Sequence, residues 1–516
     1  MCEPTPAVPV TTHDPTTTAR LGRSPILALV PEAIRRLQEM RVRREAPGRP
    51  QLDEFVTMTR EVVSEHEGEA TCIAGAVPAG LDARYVAGGW YAPTTPPIAH
   101  LLDAYSTLVS WTFRGGRARV ASRSLEDPLR DAEVAAGRVL RKGLGTPTTG
   151  SFLARVTAAI GRPNVHECVA FGDAVLAIST PRALWVDPDT LAIRAEAFTD
   201  HFDPRDPGIT HNNHPQVDPR TGRLVTAVFR HTPVFSTEMD ILELDAGGRR
   251  VGGRRNFWPG FVAVHAFGFS ASSYVLPDNP LRPPDIGYLL GLGRGVLAAM
   301  RETTRRALQL HVIPRGGGPA LTVALSQRGF IYHLLNCYDD GDLTMVDAFV
   351  SNLNPRAESS QFELDPRYPV ETHLGGVLRF AIDRTSGAVT SRLLVTGVQR
   401  VTFDAIDERR RGQPYRHAWF VSNDQHEGGR SDVIAADVTT GDIQRWTTRE
   451  RVFLRQPRLV PTNADAPEGH GWLLVPAYTP RDTRLMIFDA ARVPEGPVAV
   501  VAAGLRLPYT NHGCVQ

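Results

Sequence analysis

The sequence lacks any pair of cysteines that could frame a metal or a disulfide scaffold. Its five cysteines, Cys2, Cys72, Cys168, Cys337 and Cys514, are odd in number, far apart and never spaced as CxxC. That excludes a thiolate zinc site and argues for a reducing compartment. No run of eighteen apolar residues occurs, so no membrane-spanning helix is expected. Met1 to Thr18 is rich in Pro and Thr and has no apolar core, unlike a secretory leader. The 57 basic residues are dispersed and the net charge is +1, which leaves no nucleic-acid footprint. A dinucleotide fingerprint is missing too. Gly291-Leu-Gly-Arg-Gly295 has its third glycine wrongly spaced and no βαβ unit around it. These absences predict a soluble, cytoplasmic protein.

What is present points to strands. The chain has 516 residues, 42% of them hydrophobic, enough for a large core. Residues 1–50 are expected to be a flexible N-terminal extension, disordered to about residue 24, with a short helix over Glu32 to Arg44. Residues 51–516 are expected to form a single domain. From residue 71 the texture is short β-runs broken by turn residues: Phe113 to Arg117, Asp187 to Thr190, Asp218 to Gly222, Asp245 to Gly248, Asp383 to Gly387 and Asp437 to Gly441. Flanking runs such as Val175 to Ile178, Leu224 to Phe229, Gly376 to Ile382 and Trp472 to Pro476 suit strands. Hairpins spread over more than 400 residues without long alternating helices fit a closed, radial all-β fold, a β-propeller. Its blades are too degenerate to count. One apolar, glycine-rich segment, residues 287–300, interrupts the pattern. It fits burial over the core equally well as an apolar patch at a tunnel mouth that makes peripheral membrane contact.

Four histidines share a setting of apolar or aromatic neighbours at a strand or turn. His214 precedes the Asp218-Pro-Arg-Thr-Gly222 turn. His265 lies in Phe261-Val-Ala-Val-His-Ala-Phe267, His333 in Phe330-Ile-Tyr-His-Leu-Leu335, and His512 almost at the chain end. Buried imidazoles need partners for their ring nitrogens, and several that converge make a metal site economical. Their spacing alone names no metal. In a propeller, however, residues from different blades meet on the axis.

Over about residues 71–516 the chain resembles the carotenoid cleavage oxygenases, a family that includes apocarotenoid and stilbene dioxygenases and the retinoid isomerase. Ile73 to Val86 resembles the family's opening strand. His214-Pro215 with Asp218-Pro219 and Thr221-Gly222, and His265 followed by Pro277-Asp278, resemble the first two ligand motifs. His333 with Asn336, Tyr338, Asp340, Gly341 and Asp342, and His512-Gly513, resemble the third and fourth. Pro314-Arg315 falls between the second and third, as in the family. His211 competes with His214, but the proline and turn after His214 match the motif.

The resemblance implies a seven-bladed propeller, with loops and short helices capping an axial site. There His214, His265, His333 and His512 would hold one Fe(II), with O2 as co-substrate and no other catalytic side chain. Four neutral imidazoles suit iron and leave positions open for O2. The family also carries three glutamates hydrogen-bonded behind the ligand histidines. Glu450 matches one, while Thr402 and Thr180 stand where the others are expected. The usual Phe-Asp-Gly-Asp-Gly-Met stretch is likewise altered, to Leu102 to Leu108. The reading is a divergent iron dioxygenase that cleaves a C=C bond of a lipophilic, conjugated substrate to two carbonyl products. The alternatives are an iron-dependent isomerase or non-cleaving oxygenase, and a propeller that serves only as a binding scaffold.

Overall fold

The hairpin turns expected from the sequence are the joints of the structure. Gly115 and Gly116, both at positive φ (56° and 73°), close Tyr105–Arg114 onto Arg117–Ser124, as a tight two-residue turn requires. At other turns an aspartate organises the backbone. Asp187 Oδ1 accepts from Asp189 N and Thr190 N at 3.0 and 2.8 Å. Asp383 Oδ1 accepts from Thr385 N and Ser386 N at 2.9 and 2.7 Å, and Asp437 Oδ1 from Thr439 N at 2.9 Å. Each carboxylate thereby replaces the ladder that the reversing chain loses.

The computed structural model describes residues 8–9 and 50–516, apart from 159–163, 180–181, 204–208, 232–235, 285, 292–294, 304–305, 352–363, 365–374, 396–400, 402 and 424–429. The helix expected over 32–44 lies outside these residues. Val8–Pro9, inside the stretch expected to be disordered, pairs with Leu321 and Thr322. Pro50–Arg60 is a helix whose Phe55 and Met58 pack against Trp90 and Tyr509. The stretch Ile73 to Val86 is not one strand. It spans the end of His66–Gly75, a turn, and the start of Ala83–Tyr91.

Among the described residues the strands form a series of antiparallel sheets, five of them built from one contiguous stretch of chain apart from Val8–Pro9, which joins the third. The first covers Val165–Phe171 to Ile193–Glu196, and the second Ile209–His211 to Arg250–Trp258. The third covers Gly268–Phe269 to Leu321–Ala324, the fourth Phe330–Asp340 to Val389–Val395, and the fifth Phe403–Ile406 to Ile443–Thr447. A ten-stranded sheet joins the chain ends. In it His66–Gly75 pairs on one side with Pro497–Ala502 and on the other with Arg117–Ser124.

Cores lie between neighbouring sheets, and the series closes on itself. Leu176 and Ile178 of the first sheet meet Leu224 and Leu242 of the second. Val225 and Ile241 meet Tyr274 and Ile313, and Val275 and Leu310 meet Val346 and Phe380. Val377 packs with Phe420 and Ile434, and Trp419 and Val433 pack with Val475 and Phe488. Leu474 and Ile487 then meet Trp111 and Val120. Finally Val86 and Leu108 reach Val175 and Leu184 of the first sheet. The result is an all-β, propeller-like ring that needs no long exposed edge.

The excursion over residues 287–300 is anchored inward. Two four-residue helices, Ile286–Leu289 and Val296–Ala299, lie between the paired strands Leu281–Arg282 and Arg301–Glu302. Val296 N and Leu297 N donate to Gly143 O and Leu144 O. The described side chains of 287–300 are buried or half-buried, which favours the burial alternative for them. The exposed apolar side chains here are Phe152 (54%) and Leu153 (71%), on the neighbouring helix Phe152–Thr157. No helix among the described residues is long and apolar enough to cross a membrane.

Candidate metal centre

Ligand atoms of His214, His333 and His512 converge from three parts of the ring, and His265 adjoins them from a fourth, beside His214. His214 lies in the loop between Ile209–His211 and Gln216–Asp218, and His265 in the irregular stretch before Gly268–Phe269. His333 stands on Phe330–Asp340 where the register with Leu343–Ser351 shifts between Ile331 and Leu334. His512 stands on Tyr509–Val515 beside a shift opposite Ala87 and Gly89. In both strands a local bulge re-aims the side chain.

Backbone tethers fix the ring. Asn212 Oδ1 accepts from His214 N at 2.8 Å, while its Nδ2 donates to His265 O at 3.2 Å. Asn279, just past Pro277-Asp278, donates to Ala263 O and Ile331 O and accepts from Ile331 N, tying the His265 loop to the His333 strand. Arg315 donates to Asp218 Oδ2 at 2.9 Å and to Glu243 Oε1 at 2.8 Å, clamping the turn after His214 to the next sheet. Asn336 accepts from Gly412 N and donates to Arg410 O and Gln413 O, holding the 408–413 loop against the axis.

The rings converge closely. His214 Nε2 lies 3.2 Å from His265 Nε2. Ligand atoms of His214, His333 and His512 lie within 4.8 Å of one another. The His265 and His333 ring centroids are 5.4 Å apart. His333 Nε2 is buried without a hydrogen-bond partner, a costly state unless something else takes its lone pair. His214 Nδ1 meets Glu167 Oε2 at 2.8 Å, which leaves Nε2 directed at the centre beside His265. Burial drives the pKa of His214 down to about 3, with Arg458 adding to the effect. It drives His333 and His512 well below the usual range. All three are therefore neutral at physiological pH, the form that ligates metal. An all-imidazole set fits iron, and the donors present fit such an ion. His211 is elsewhere, buried against Phe198 and Phe202.

The carboxylates behind the ring are not those expected. Glu450 is a correction: its side chain is 60% exposed and pairs with Arg484 at 2.6 Å. It ends an exposed turn, so proximity in sequence to Phe453 does not carry it inward. Thr180 and Thr402 lie outside the described residues. The acids that do approach are Glu167 and Asp404, the latter with Oδ1 4.0 Å from His333 Nδ1. Arg458 Nη2 donates to Glu167 Oε1 at 3.2 Å, Arg458 Nη1 donates to Glu408 Oε1 at 3.2 Å, and Arg411 donates to both Glu408 oxygens at 2.8 and 3.0 Å. Burial pushes Glu167 up to about 8 and Asp404 up to about 6 against the pull of Arg458 and Arg411. These groups, with His214, His333 and His512, line an axial cavity of about 470 Å³. The signal for Glu167 was available: it is an acid inside the apolar run Val165-His-Glu-Cys-Val-Ala-Phe171.

Comparison with known proteins agrees with this geometry. The family model described as retinal pigment epithelial membrane protein matches residues 59–515. The apocarotenoid-15,15'-oxygenase of Synechocystis sp. is 24% identical, over 81% of this chain and 86% of its own length. The lignostilbene-alpha,beta-dioxygenase isozyme III of Sphingomonas paucimobilis is also 24% identical, over 78% and 84%. A crystal structure of the cobalt-substituted Synechocystis enzyme superposes with a TM-score of 0.79 at 21% identity, over 90% of this chain and 98% of that one.

Proposed function

Because the chain belongs to the retinal pigment epithelial membrane protein family of carotenoid cleavage oxygenases, we propose that it is an Fe(II)-dependent dioxygenase. It cleaves a C=C bond of a conjugated apolar substrate, a carotenoid, apocarotenoid or related alkene, into two carbonyl products. The single observation that carries this reading is the convergence of His214, His265, His333 and His512, with a buried Nε2 of His333 left for a metal. Iron(II), when bound by these four, supplies the chemistry that activates O2.

The rest belongs to the protein. The Asn212, Asn279 and Asn336 tethers hold the imidazoles in place, so no reorganisation is needed at reaction. No side-chain nucleophile or general base is required. The axial cavity is walled by Glu167, Asp404, Glu408, Arg411 and Arg458 together with apolar side chains such as Val169, Val217, Leu334, Leu459 and Val460. In this reading the 287–300 excursion and its neighbours form the cap. The propeller has seven blades in this reading, the ten-stranded sheet being two blades joined through His66–Gly75. The seven inter-sheet cores support that count.

The test is anaerobic purification, iron quantification, and incubation with candidate polyenes under ¹⁸O2. One iron per chain and two labelled carbonyl fragments are expected. A second reading, isomerisation or non-cleaving oxygenation, is favoured by the altered carboxylates behind the ring. It predicts bound iron with substrate rearranged or oxygenated but uncleaved. Absence of iron, with no effect of His265→Ala or His333→Ala, leaves only a binding scaffold.

A further inference from the structure

We propose that Glu167 is a positioning residue of the metal centre, which orients His214 through a hydrogen bond and places its carboxyl beside His512. The proposal rests on the metal-centre reading above. Glu167 Oε2 lies 2.8 Å from His214 Nδ1 and 3.8 Å from His512 Nδ1. The two rings stand at 90° with centroids 4.8 Å apart, and His512 Nδ1, buried without a hydrogen-bond partner, has this oxygen as a near neighbour. An imidazole offers an Nε2 lone pair to a metal only while its proton rests on Nδ1, and a carboxylate acceptor there holds it.

The other oxygen is engaged separately. Arg458 Nη2 holds Glu167 Oε1, and Arg458 Nε donates to Gly513 O, the carbonyl next to His512. The guanidinium thus fixes the carboxylate's orientation and the His512 strand together. Arg411 does the same on the other flank, donating to Leu335 O, two residues past His333. Four neutral imidazoles would leave a +2 ion wholly uncompensated, and a buried carboxylate hydrogen-bonded to one of them and 3.8 Å from a second offsets part of that charge. Glu450 is exposed on Arg484 and does not reach the ring. Glu167 comes instead from Val165–Phe171, the inner strand of the first sheet.

The experiment uses the full-length protein stripped of metal with a chelator and titrated with Co(II). Affinity is read by chelator competition, ligand geometry by the Co(II) visible absorption, and fold by the melting temperature of the metal-free form. Glu167→Ala is expected to weaken Co(II) binding about 10–100-fold. Glu167→Gln, which keeps an acceptor of the same shape without the charge, loses less and shifts the visible band. Glu167→Asp recovers part of the loss, and Glu450→Gln changes nothing. A purely structural role would lower the metal-free melting temperature of the variants and leave affinity and band untouched. That result overturns the proposal, and the isosteric Gln variant keeps it decidable should the Ala variant fail to fold. If the unsubstituted protein binds neither Co(II) nor Fe(II), the metal-centre reading falls as well. Normal wild-type binding with unaffected variants sinks the Glu167 role alone.

Discussion

The rim and the axis of this ring use charge in opposite ways. At the rim, an aspartate at a turn is satisfied within a few residues: Asp187 by Asp189, Thr190 and Arg194, Asp383 by Thr385 and Ser386. On the axis, Glu167 is satisfied by Arg458, 291 residues away, and by a histidine from a different sheet. The rim device is solvated, local and repeated. The axial network is walled in by protein, assembled from several sheets and occurs once. Local satisfaction makes an element fold the same way wherever it stands. Non-local satisfaction makes the centre depend on the whole ring being closed.

If that contrast is right, axial substitutions cost most. The largest effect is expected for His333→Ala, whose Nε2 is buried without a hydrogen-bond partner. Iron content should fall from about one per chain to a small fraction of that, and turnover should be lost with it, since three remaining imidazoles no longer enclose the ion. Metal analysis and product assay check this, and full iron retention would remove His333 from the site. Next comes Arg458→Ala. It strands Glu167 beside Glu408 with one cation fewer, and breaking a buried pair on one side costs about 3–5 kcal/mol. Urea unfolding of the metal-free protein measures it. Arg458→Met, with similar volume and no charge, still strands the acids and should not rescue. Asn279→Ala removes the bonds to Ala263 and Ile331 that couple the His265 loop to the His333 strand. A loss of about 1–3 kcal/mol follows from leaving such backbone groups unpaired.

The same contrast explains what could be read without the structure. The turns, the strands around them and the all-β class were legible because they depend on neighbours within a few residues. The four histidines were legible as motifs, since each stands beside its own local signature, such as Asp218 to Gly222 after His214 or Asn336 after His333. Glu450 was misplaced because matching a motif residue by residue assumes that the side chain points as it does in relatives. Here Arg484 holds it at the surface. Glu167 stands out in the sequence only as an acid in an apolar run; its pairing with His214, like the approach of Asp404 to His333, is made by the closed ring alone. The inward burial of 287–300 depended in the same way on the 143–144 loop, which no local pattern pairs with it.

The smallest effects belong to the rim. Hydrogen bonds from Arg194, reinforced by the Thr190 backbone, hold Asp187 below the usual carboxylate range. A depressed folded-state pKa means that its contribution is present above the ordinary aspartate range and is lost as pH falls through the folded value. Asp187→Ala should therefore cost about 0.5–1 kcal/mol at pH 7, in line with the loss of a side-chain cap on backbone N–H groups, and progressively less on acidification below about pH 4. Because Asp187 and Asp383 belong to different sheets and share no partner, the double variant should lose the sum of the two single costs, within about 0.5 kcal/mol. Arg411 and Arg458 both grip Glu408, so their double variant should depart from the sum by more than that. Additivity at the axis, or coupling at the rim, would erase the distinction between local and ring-wide satisfaction of charge.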